Sequence, residues 1–318
     1  MMQGLRLIRH KTSFKIVGLR RIFFAISLAA IVASAGLYLT RGLNLGIDFL
    51  GGILIEVQTS EPADIGRMRR VLGNIGLGEV ALQEFGAADD VLIRVARQPG
   101  GEKAQLAAVE TVKQALAGMG DGEMSYRRVE FVGPKVSAEL VEAGTIAVLS
   151  AVALMLLYIW FRFEWQFSIG AVLALIHDVA LTVGMFSLTG IEFNLASIAA
   201  ILTIVGYSIN DTVVIYDRVR ENLRKYKTMP MPELLDLSIN NTLSRTTMTS
   251  LTTLLALFAL YFFGGEVLAG FTFAMIWGVV VGTYSSIFIA VPLLLVLGVR
   301  RGPARDQDDA AEAQEPSA

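Results

Sequence analysis

The chain of 318 residues is 54% hydrophobic and only 18% charged, with a formal net charge of −2. Soluble domains are nearer to about 45–50% apolar and about 25% charged. The excess of apolar residues lies in long runs, which indicates a polytopic membrane protein. The small net charge gives no support for nucleic-acid binding. The lack of cysteine excludes disulfides and thiolate metal sites, and with only two histidines, His10 and His177, a histidine-based metal site is not expected.

The first apolar run, Ile22 to Leu39, follows a polar and basic segment at 1–21 and is long enough to cross a membrane. Ala33-Ser34-Ala35 faintly resembles a signal-peptidase site. The basic segment is long, however, and the apolar run continues past Ala35. We therefore predict an uncleaved first transmembrane helix over 22–40.

Residues 41–143 have the composition of a soluble domain. Apolar alternation and helical spacing predict a strand, a helix, two strands, a helix and a strand. This β-α-β-β-α-β order is the ferredoxin-like split pattern, so the fold class is a polytopic α-helical membrane protein with one α+β domain after its first span. A turn at 86–90 is predicted between the middle strands. The six elements are predicted at 53–57, 63–72, 79–85, 91–96, 102–116 and 124–132.

Five further transmembrane helices are predicted within residues 144–298. A polar segment at 217–245 is predicted to be a loop between the fourth and fifth spans. The acidic, Gln- and Ala-rich residues 299–318 are predicted to be a disordered tail. The apolar runs are 146–161, whose start can reach back to Val141, then 167–189, 193–216, 246–263 and 267–298.

The orientation follows from the positions of Lys and Arg. Six spans place both termini on one side, together with most of the basic residues, whereas the short loops at 190–192 and 264–266 carry no Lys or Arg. The positive-inside rule then predicts cytoplasmic termini and an extracytoplasmic, periplasmic domain at 41–143. The basic residues lie in 1–21, at 162, in 218–245 and in 300–305.

Asp211 is the residue most indicative of function, because it lies several residues before the fourth apolar run ends. A carboxylate at such a depth costs about 2.5–3.5 kcal/mol on insertion scales and usually faces the interior of the bundle. Arg245 begins the next span at a comparable depth, so an Asp–Arg pair is possible. We predict Asp211, Arg245 and Asp178 as a proton relay or coupling site. A purely structural interhelical pair is the alternative for Asp211 and Arg245.

Asn210, Ser208 and His177 are predicted to be supporting polar groups. His177 is interpreted as a satisfied polar residue, not a metal ligand, because no second histidine is near. Asp178 fits either a helix-packing hydrogen bond or a relay position. Gly278-x-x-x-Gly282 in the sixth span is interpreted as a helix-packing motif.

Motifs for intramembrane hydrolysis and for ATP binding are absent from the sequence, so we expect no enzymatic activity and no cofactor. Energy for transport work must then come from an ion gradient or from a partner. A carboxylate beside a cation can bind and release a proton, although the same group could serve Na⁺.

The layout of one extracytoplasmic domain after span one and then five spans resembles half of a resistance–nodulation–division transporter. Within that superfamily, the motifs resemble the SecF branch of the SecD/SecF family, over about residues 20 to 300. The matching stretches are Gly46–Gly52, Phe131–Ser137, His177-Asp178, Asn210–Asn222 and Asn241–Thr246.

The resemblance implies that Asp211 is the family's essential span-four carboxylate and that Arg245 is the arginine working with it. It implies association with SecD, which supplies a second six-span half, and with the SecYEG channel; the accessory subunit YajC and the insertase YidC are further possible partners. The implied activity is use of the proton-motive force to help preproteins cross the inner membrane after the ATP-driven step.

Gly51, Gly52, Gly133 and Pro134 flank the domain and are predicted to be hinges that let it move with the bundle. Two other functions remain open at this point. One is a passive scaffold that stabilises its partners. The other is an ion-driven efflux half-pump for small molecules, against which the small size of the domain argues.

Overall fold

The computed structural model describes residues 12–119 and 124–299. The predicted basic segment therefore lies partly, and the predicted tail almost wholly, outside the described residues. The helices within these ranges are α1 (Arg20–Arg41), α2 (Ile47–Leu50), α3 (Ile65–Gly73), α4 (Glu102–Ala117), α5 (Pro134–Arg162), α6 (Trp165–Thr189), α7 (Leu195–Lys225), α8 (Met231–Phe263), α9 (Glu266–Ser285) and α10 (Val291–Val296).

The domain between α1 and α5 has the predicted β-α-β-β-α-β order. Its four strands form one antiparallel sheet in the order β2-β3-β1-β4, which confirms the ferredoxin-like pattern. Helices α3 and α4 bury their apolar faces against this sheet, with Met68, Leu72, Val112 and Leu116 among the residues that are almost fully enclosed. The strands are β1 (Gly52–Gln58), β2 (Val80–Phe85), β3 (Ala87–Val95) and β4 (Ser125–Val132).

The turn predicted at 86–90 is wrong except for Gly86, because β3 already begins at Ala87. Tertiary contacts hold the acidic residues in the strand. The Asp89 carbonyl accepts the backbone N–H of Thr59 at 2.8 Å, and the buried Asp90 carboxylate pairs with Arg127 at 3.1 Å. Local turn propensity is thus overridden by pairing with neighbouring strands.

Six helical stretches are long and apolar enough to cross a membrane: α1, α5, α6, α7, α8, and α9 continued into α10. Helices α6, α7 and α9 form the interior, and α1, α5 and α8 are largely exposed around them. We call the end of the bundle that carries the α/β domain the domain side. The opposite end, which carries residues 12–19 and the α7–α8 turn, is the terminal side.

The loop predicted at 217–245 is wrong, because only residues 226–230 separate α7 from α8. The helices continue past the apolar layer since each keeps a buried stripe there, including Leu223 and Leu235. The Asn222 side chain also donates to Ser238 Oγ at 2.8 Å, which joins the two helices. An amphipathic extension of this kind has a polar average composition, and that average hid the helix.

Glycines let the interior helices approach closely. A Cβ added at Gly278 of α9 would overlap the Ile204 side chain of α7, and one added at Gly282 would lie 3.1 Å from Ser208 Cβ. Gly184 of α6 is similarly close to Ser34 of α1. The structure therefore gives Gly278 and Gly282 the packing role predicted for them.

Gly278→Ala is expected to destabilise the bundle by roughly 1–3 kcal/mol, the usual cost of overpacking. The stiff, β-branched Ile204 cannot move aside, so α7 and α9 must separate. Thermal unfolding of the full chain in detergent measures this loss. The matched control is Gly206→Ala in α7, where nothing lies within 4 Å of the new Cβ. Equal melting temperatures for the two variants would contradict this packing account.

Candidate functional site

Asp178 of α6 lies at the centre of the bundle and has no solvent exposure. Its Oδ2 accepts hydrogen bonds from Ser208 of α7 at 2.5 Å and from Ser285 of α9 at 2.8 Å. Its Oδ1 lies 2.9 Å from His177 Nδ1. A buried charge is tolerable only with such partners, so this carboxyl group joins the three interior helices.

The network continues along α9, where a π-helical turn covers Ser286–Ala290. The Ser286 hydroxyl lies 2.8 Å from Thr212 Oγ1 and donates to the Ser208 carbonyl at 3.3 Å. The Tyr216 hydroxyl donates to the Ala290 carbonyl at 3.1 Å. Such π-turns in helices are frequent at functional sites, and here neighbouring side chains satisfy a polar backbone group inside an apolar layer.

His177 forms a hydrogen bond with Asp178 through its Nδ1 atom, and its Nε2 atom is buried with no hydrogen-bond partner. The ring stacks on Tyr284 at 5.9 Å between centroids, and the Tyr284 hydroxyl lies 3.1 Å from Ser27 Oγ of α1. No cluster of three His, Cys, Asp or Glu side chains suitable for a metal occurs in the described parts of the chain. His177 thus extends the polar network toward α1.

Asp211 of α7 is only 3% exposed, yet its Oδ2 has no hydrogen-bond partner. Ser208 precedes it by about one helical turn, so Asp211 lies on the face of α7 that turns inward. The carboxyl group is therefore enclosed without the bonds that satisfy Asp178. Thr246 on the adjacent α8 has an equally buried and unpartnered hydroxyl.

Arg245 lies at the same distance from the α7–α8 turn as Asp211, about 20 Å along each helix. Its side chain is exposed on the surface of the bundle. In the described structure, Arg245 and Asp211 do not form a salt bridge. Arg245 is nevertheless near enough to act on the Asp211 carboxyl group electrostatically. The two groups are neighbours at one depth and are not a closed ion pair.

Of the supporting polar groups predicted from sequence, the structure brings Ser208 and His177 to Asp178 but not Asn210. Asn210 is exposed on the outer side of α7. Tyr207 instead reaches α8, where its hydroxyl donates to Ser250 Oγ at 3.2 Å, and Ser250 lies 2.7 Å from Thr283 Oγ1 of α9.

A second polar cluster, which the sequence reasoning missed, connects the domain to the bundle. Arg94 of β3 donates to the Leu45 carbonyl and, at 2.8 Å, to Asn44 Oδ1. Asn44 in turn donates to the Gly190 carbonyl at 2.8 Å and accepts from the Phe193 N–H at 2.8 Å. The linker after α1 is thereby held between the sheet and the α6–α7 loop.

Asp48 in the same linker accepts the backbone N–H of Leu195 at 2.9 Å. Leu195 is the first residue of α7, where an acidic group satisfies a free N–H and complements the helix dipole. Asp48 therefore supplements the capping box of Asn194 and Ser197 at the start of the helix that carries Asp211. The Gly-rich motif around Asp48 was the only sequence signal for this contact.

The predicted hinge residues occupy two adjacent junctions. Gly51 and Gly52 have φ of +70° and +123°, and a Cβ at Gly52 would lie 2.6 Å from the Val95 carbonyl oxygen. At the other junction, Gly133 precedes α5 and Pro134 is its first residue, a favoured position for proline. Positive φ angles explain Gly51 and Gly52, and close packing is a second reason for Gly52, whereas nothing lies within 4 Å of a Cβ added at Gly133. Movement at these positions stays a prediction.

Glu192, in the loop between α6 and α7, is the main ionisable group beside this linker. Burial raises the pKa of the Glu192 carboxyl group. The positive charges of Arg94 and Arg128 oppose that rise in pKa, and the negative charges of Asp48 and Glu130 add to it. The folded protein therefore holds a proton on Glu192 more tightly than the unfolded chain does.

These features define a multi-pass membrane protein with one ferredoxin-like domain after its first span and buried carboxyl groups in its core. The family described as protein export membrane protein SecD/SecF, C-terminal, matches residues 111–300, and the SecD/SecF GG motif matches residues 39–63. The first match alone covers more than half of the sequence. The chain belongs to the SecD/SecF family.

Full-length relatives agree with this assignment. The chain is 45% identical over 300 residues to the protein translocase subunit SecF of Rickettsia bellii, covering 93% of this chain and 97% of that protein. It is also 45% identical over 309 residues to the protein translocase subunit SecF of Cereibacter sphaeroides, covering 95% of each.

Two solved structures share the fold. The crystal structure of SecDF from Thermus thermophilus, a translocon-associated membrane protein, matches with a TM-score of 0.83 and 38% identity over 92% of this chain. SecDF in its super-membrane-facing form matches with a TM-score of 0.66 and 34% identity over 98% of this chain. The chain spans only 40% and 41% of those two longer proteins.

Ser285→Ala should destabilise the bundle by about 1–3 kcal/mol, because Asp178 then loses one of its hydrogen-bond donors. Thermal unfolding of the full chain in detergent provides the measurement. Ser187→Ala is the matched control, since this serine is also buried but bonds only to the Val183 carbonyl of its own helix. If the two variants have the same melting temperature, the hydrogen bond from Ser285 to Asp178 does not stabilise the bundle.

Glu192→Gln should raise or preserve the melting temperature at pH 7. Because the pKa of Glu192 is higher in the folded protein than in the unfolded chain, the folded state binds the proton more tightly. The stability of the fold therefore falls as the pH rises from below the unfolded-state pKa, about 4.3, through the folded-state pKa. Glutamine removes this loss, and the gain should disappear near pH 4. Glu84→Gln serves as an exposed control. A lower melting temperature of Glu192→Gln at pH 7 would refute the assignment.

Proposed function

We propose that this chain, with a SecD partner, uses the proton-motive force to assist the export of proteins across the bacterial inner membrane after the ATP-driven step. Membership of the SecD/SecF family and the names of its relatives support an export role. The coupling of export to protons is supported chiefly by one observation: Asp211 is buried inside the bundle with an oxygen that lacks any hydrogen-bond partner.

An enclosed carboxyl group without structural bonds is suited to binding a proton. Burial disfavours its charge, and a nearby cation favours it, so small changes in the position of Arg245 alter whether the proton is held. A purely structural pair would instead be expected to close the salt bridge between Asp211 and Arg245. The open arrangement thus favours a proton site over the scaffold interpretation, and Na⁺ remains the alternative coupling ion.

The exposure of Arg245 supports a membrane partner. An arginine facing lipid is costly, and ionisable residues in spans almost always face other protein or a water-filled cavity. Asn210 and Arg245 are exposed on the neighbouring helices α7 and α8. A second six-span half, supplied by SecD, would cover this polar surface, and the SecDF chains are long enough to contain such a half.

The energy available per proton sets a limit on the mechanism. A driving force of about 150–200 mV supplies roughly 3.5–4.6 kcal/mol per proton. Reversing a two-state equilibrium from about 1:99 to 99:1 needs about 5.5 kcal/mol. One proton therefore biases the bundle between two packings without fully reversing it, and we expect either more than one proton per cycle or an equilibrium near balance.

The linker contacts offer a route from Asp211 to the domain. A displacement of α7 acts on Asp48 at its first turn, then on the linker, and then on Arg94 of the sheet. The junctions at Gly51 and Gly133 lie at the ends of adjacent, paired strands, since Gly52 is in register with Val132. The domain can thus tilt about a single edge when α7 moves.

In this arrangement both termini are cytoplasmic and the domain faces the periplasm, where the exported chain emerges. The orientation is supported by the distribution of Lys and Arg. SecYEG would supply the channel, with YajC and YidC as further possible neighbours. The chain is then a transport subunit, and its substrate is an unfolded preprotein.

Asp211→Asn is expected to abolish the proton-dependent part of preprotein translocation while leaving the complex intact. The amide has nearly the same shape but no ionisable group that can be protonated and deprotonated near neutral pH. The measurement is proton-driven translocation into membrane vesicles, compared at equal amounts of complex. Glu142→Gln in α5 provides a control, because this exposed carboxylate forms no ion pair within the described residues.

Normal translocation per complex in Asp211→Asn would rule out proton coupling at this residue. A loss explained wholly by reduced amounts of complex would instead support the scaffold function. Altered drug susceptibility with normal protein export in a deletion strain would support an efflux half-pump.

A further inference from the structure

We propose that a basic cleft on the terminal side binds the phosphate headgroup of an anionic phospholipid. The cleft lies where α5 ends and α7 leaves the apolar layer, and its volume of about 600 Å³ is within the usual range for small-ligand sites, about 300–1,000 Å³. Its lining residues are Arg162, Asp217, Arg220, Glu221, Arg224 and Lys225.

The cleft has uncompensated positive charge. Its two acidic residues are already engaged: Asp217 pairs with Arg162 at 2.7 Å, and Glu221 pairs with Arg218 at 2.7 Å. Arg220, Arg224 and Lys225 form no ion pair within the described residues. Three cations are therefore available to an anionic ligand, and two of them, Arg224 and Lys225, are exposed.

Part of this cation cluster is held in place before any ligand binds. The guanidinium groups of Arg162 and Arg220 lie 5.0 Å and 5.5 Å from the centroid of the Phe163 ring. Arg220 Nη1 also donates to the Arg162 carbonyl at 3.2 Å. A guanidinium fixed in this way loses little freedom on binding phosphate, for which its planar fork is well matched.

The surroundings of the cleft favour a lipid over a free phosphate ion. Immediately before Arg162, the side chains of Trp160 and Phe161 are exposed, and Trp165 is exposed just after the turn. Aromatic residues in such positions mark the membrane–water interface. Helix α5 also buries little of its surface in the bundle, so acyl chains can lie along it while the headgroup occupies the cleft.

The test uses the full chain with Trp160→Phe and Trp277→Phe, which leaves Trp165 beside the cleft as the single tryptophan. The protein is reconstituted in phosphatidylcholine vesicles containing increasing fractions of brominated phosphatidylglycerol. Quenching of Trp165 then reports how often the anionic lipid occupies the neighbouring position. Brominated phosphatidylcholine gives the reference for lipid that contacts the helix without selectivity.

Preferential quenching by phosphatidylglycerol is expected, and Arg224→Gln with Lys225→Gln should reduce that preference roughly 25-fold, about fivefold per cation. Neither side chain forms an ion pair in the described structure, so folding should be preserved, and Arg220→Gln provides an independent variant. The matched control is Lys15→Gln with Arg21→Gln, which removes two exposed cations from the same side of the membrane. It should leave the preference unchanged.

Four results would overturn the lipid assignment. Equal quenching by the two lipids, or an equal loss in the control variant, means that only general surface charge acts. Competition by inorganic phosphate, at ionic strength matched with chloride, means that the cleft is a phosphate-ion site. A preference that develops only after deletion of the acidic residues 306–318 means that the chain's own C-terminal segment is the occupant.

Discussion

The hydrogen-bonding demand of Asp178 is the constraint on which the membrane bundle depends. A carboxyl group with no solvent exposure must find donors inside the protein, and here they come from α7 and α9 as well as from its own helix. Gly278 and Gly282 let α9 approach α7 closely, and Ser285 of α9 and Ser208 of α7 donate to the same carboxylate oxygen. Once Ser208 faces Asp178, the helical repeat also turns Asp211 inward, so the packing of three helices determines where the second carboxyl group lies.

The two intramembrane carboxyl groups have different surroundings and, we infer, different roles. Asp178 is fully bonded, as expected for a residue that holds helices together. Asp211 is also buried but has an oxygen without a partner, and Arg245, the cation that acts on it, is exposed at the surface. Buried polar groups without partners are uncommon in native proteins and call for an explanation. Under the function proposed above, reversible protonation during export would account for the one at Asp211.

Sequence patterns predicted the spans and the domain well, because both depend on local periodicity. The ferredoxin-like order followed from alternation and helical spacing, and the spans followed from run length. What could not be predicted depends on contacts distant in sequence. Strand pairing keeps Asp89 and Asp90 in β3 instead of a turn. The Asn222–Ser238 hydrogen bond joins α7 and α8 where their sequence is polar on average. The outward position of Asn210 and the linker contacts of Arg94 likewise required the packed structure.

Helix α7 is a single unbroken rod from Leu195 to Lys225, about 46 Å long at 1.5 Å per residue. Its first turn donates a hydrogen bond to Asp48, its middle carries Asp211, and its last turns line the basic cleft. No proline interrupts it, so a small rotation at its centre would be transmitted to both ends of the helix. The α/β domain at one end of the helix and the lipid surface at the other would then respond to the same movement.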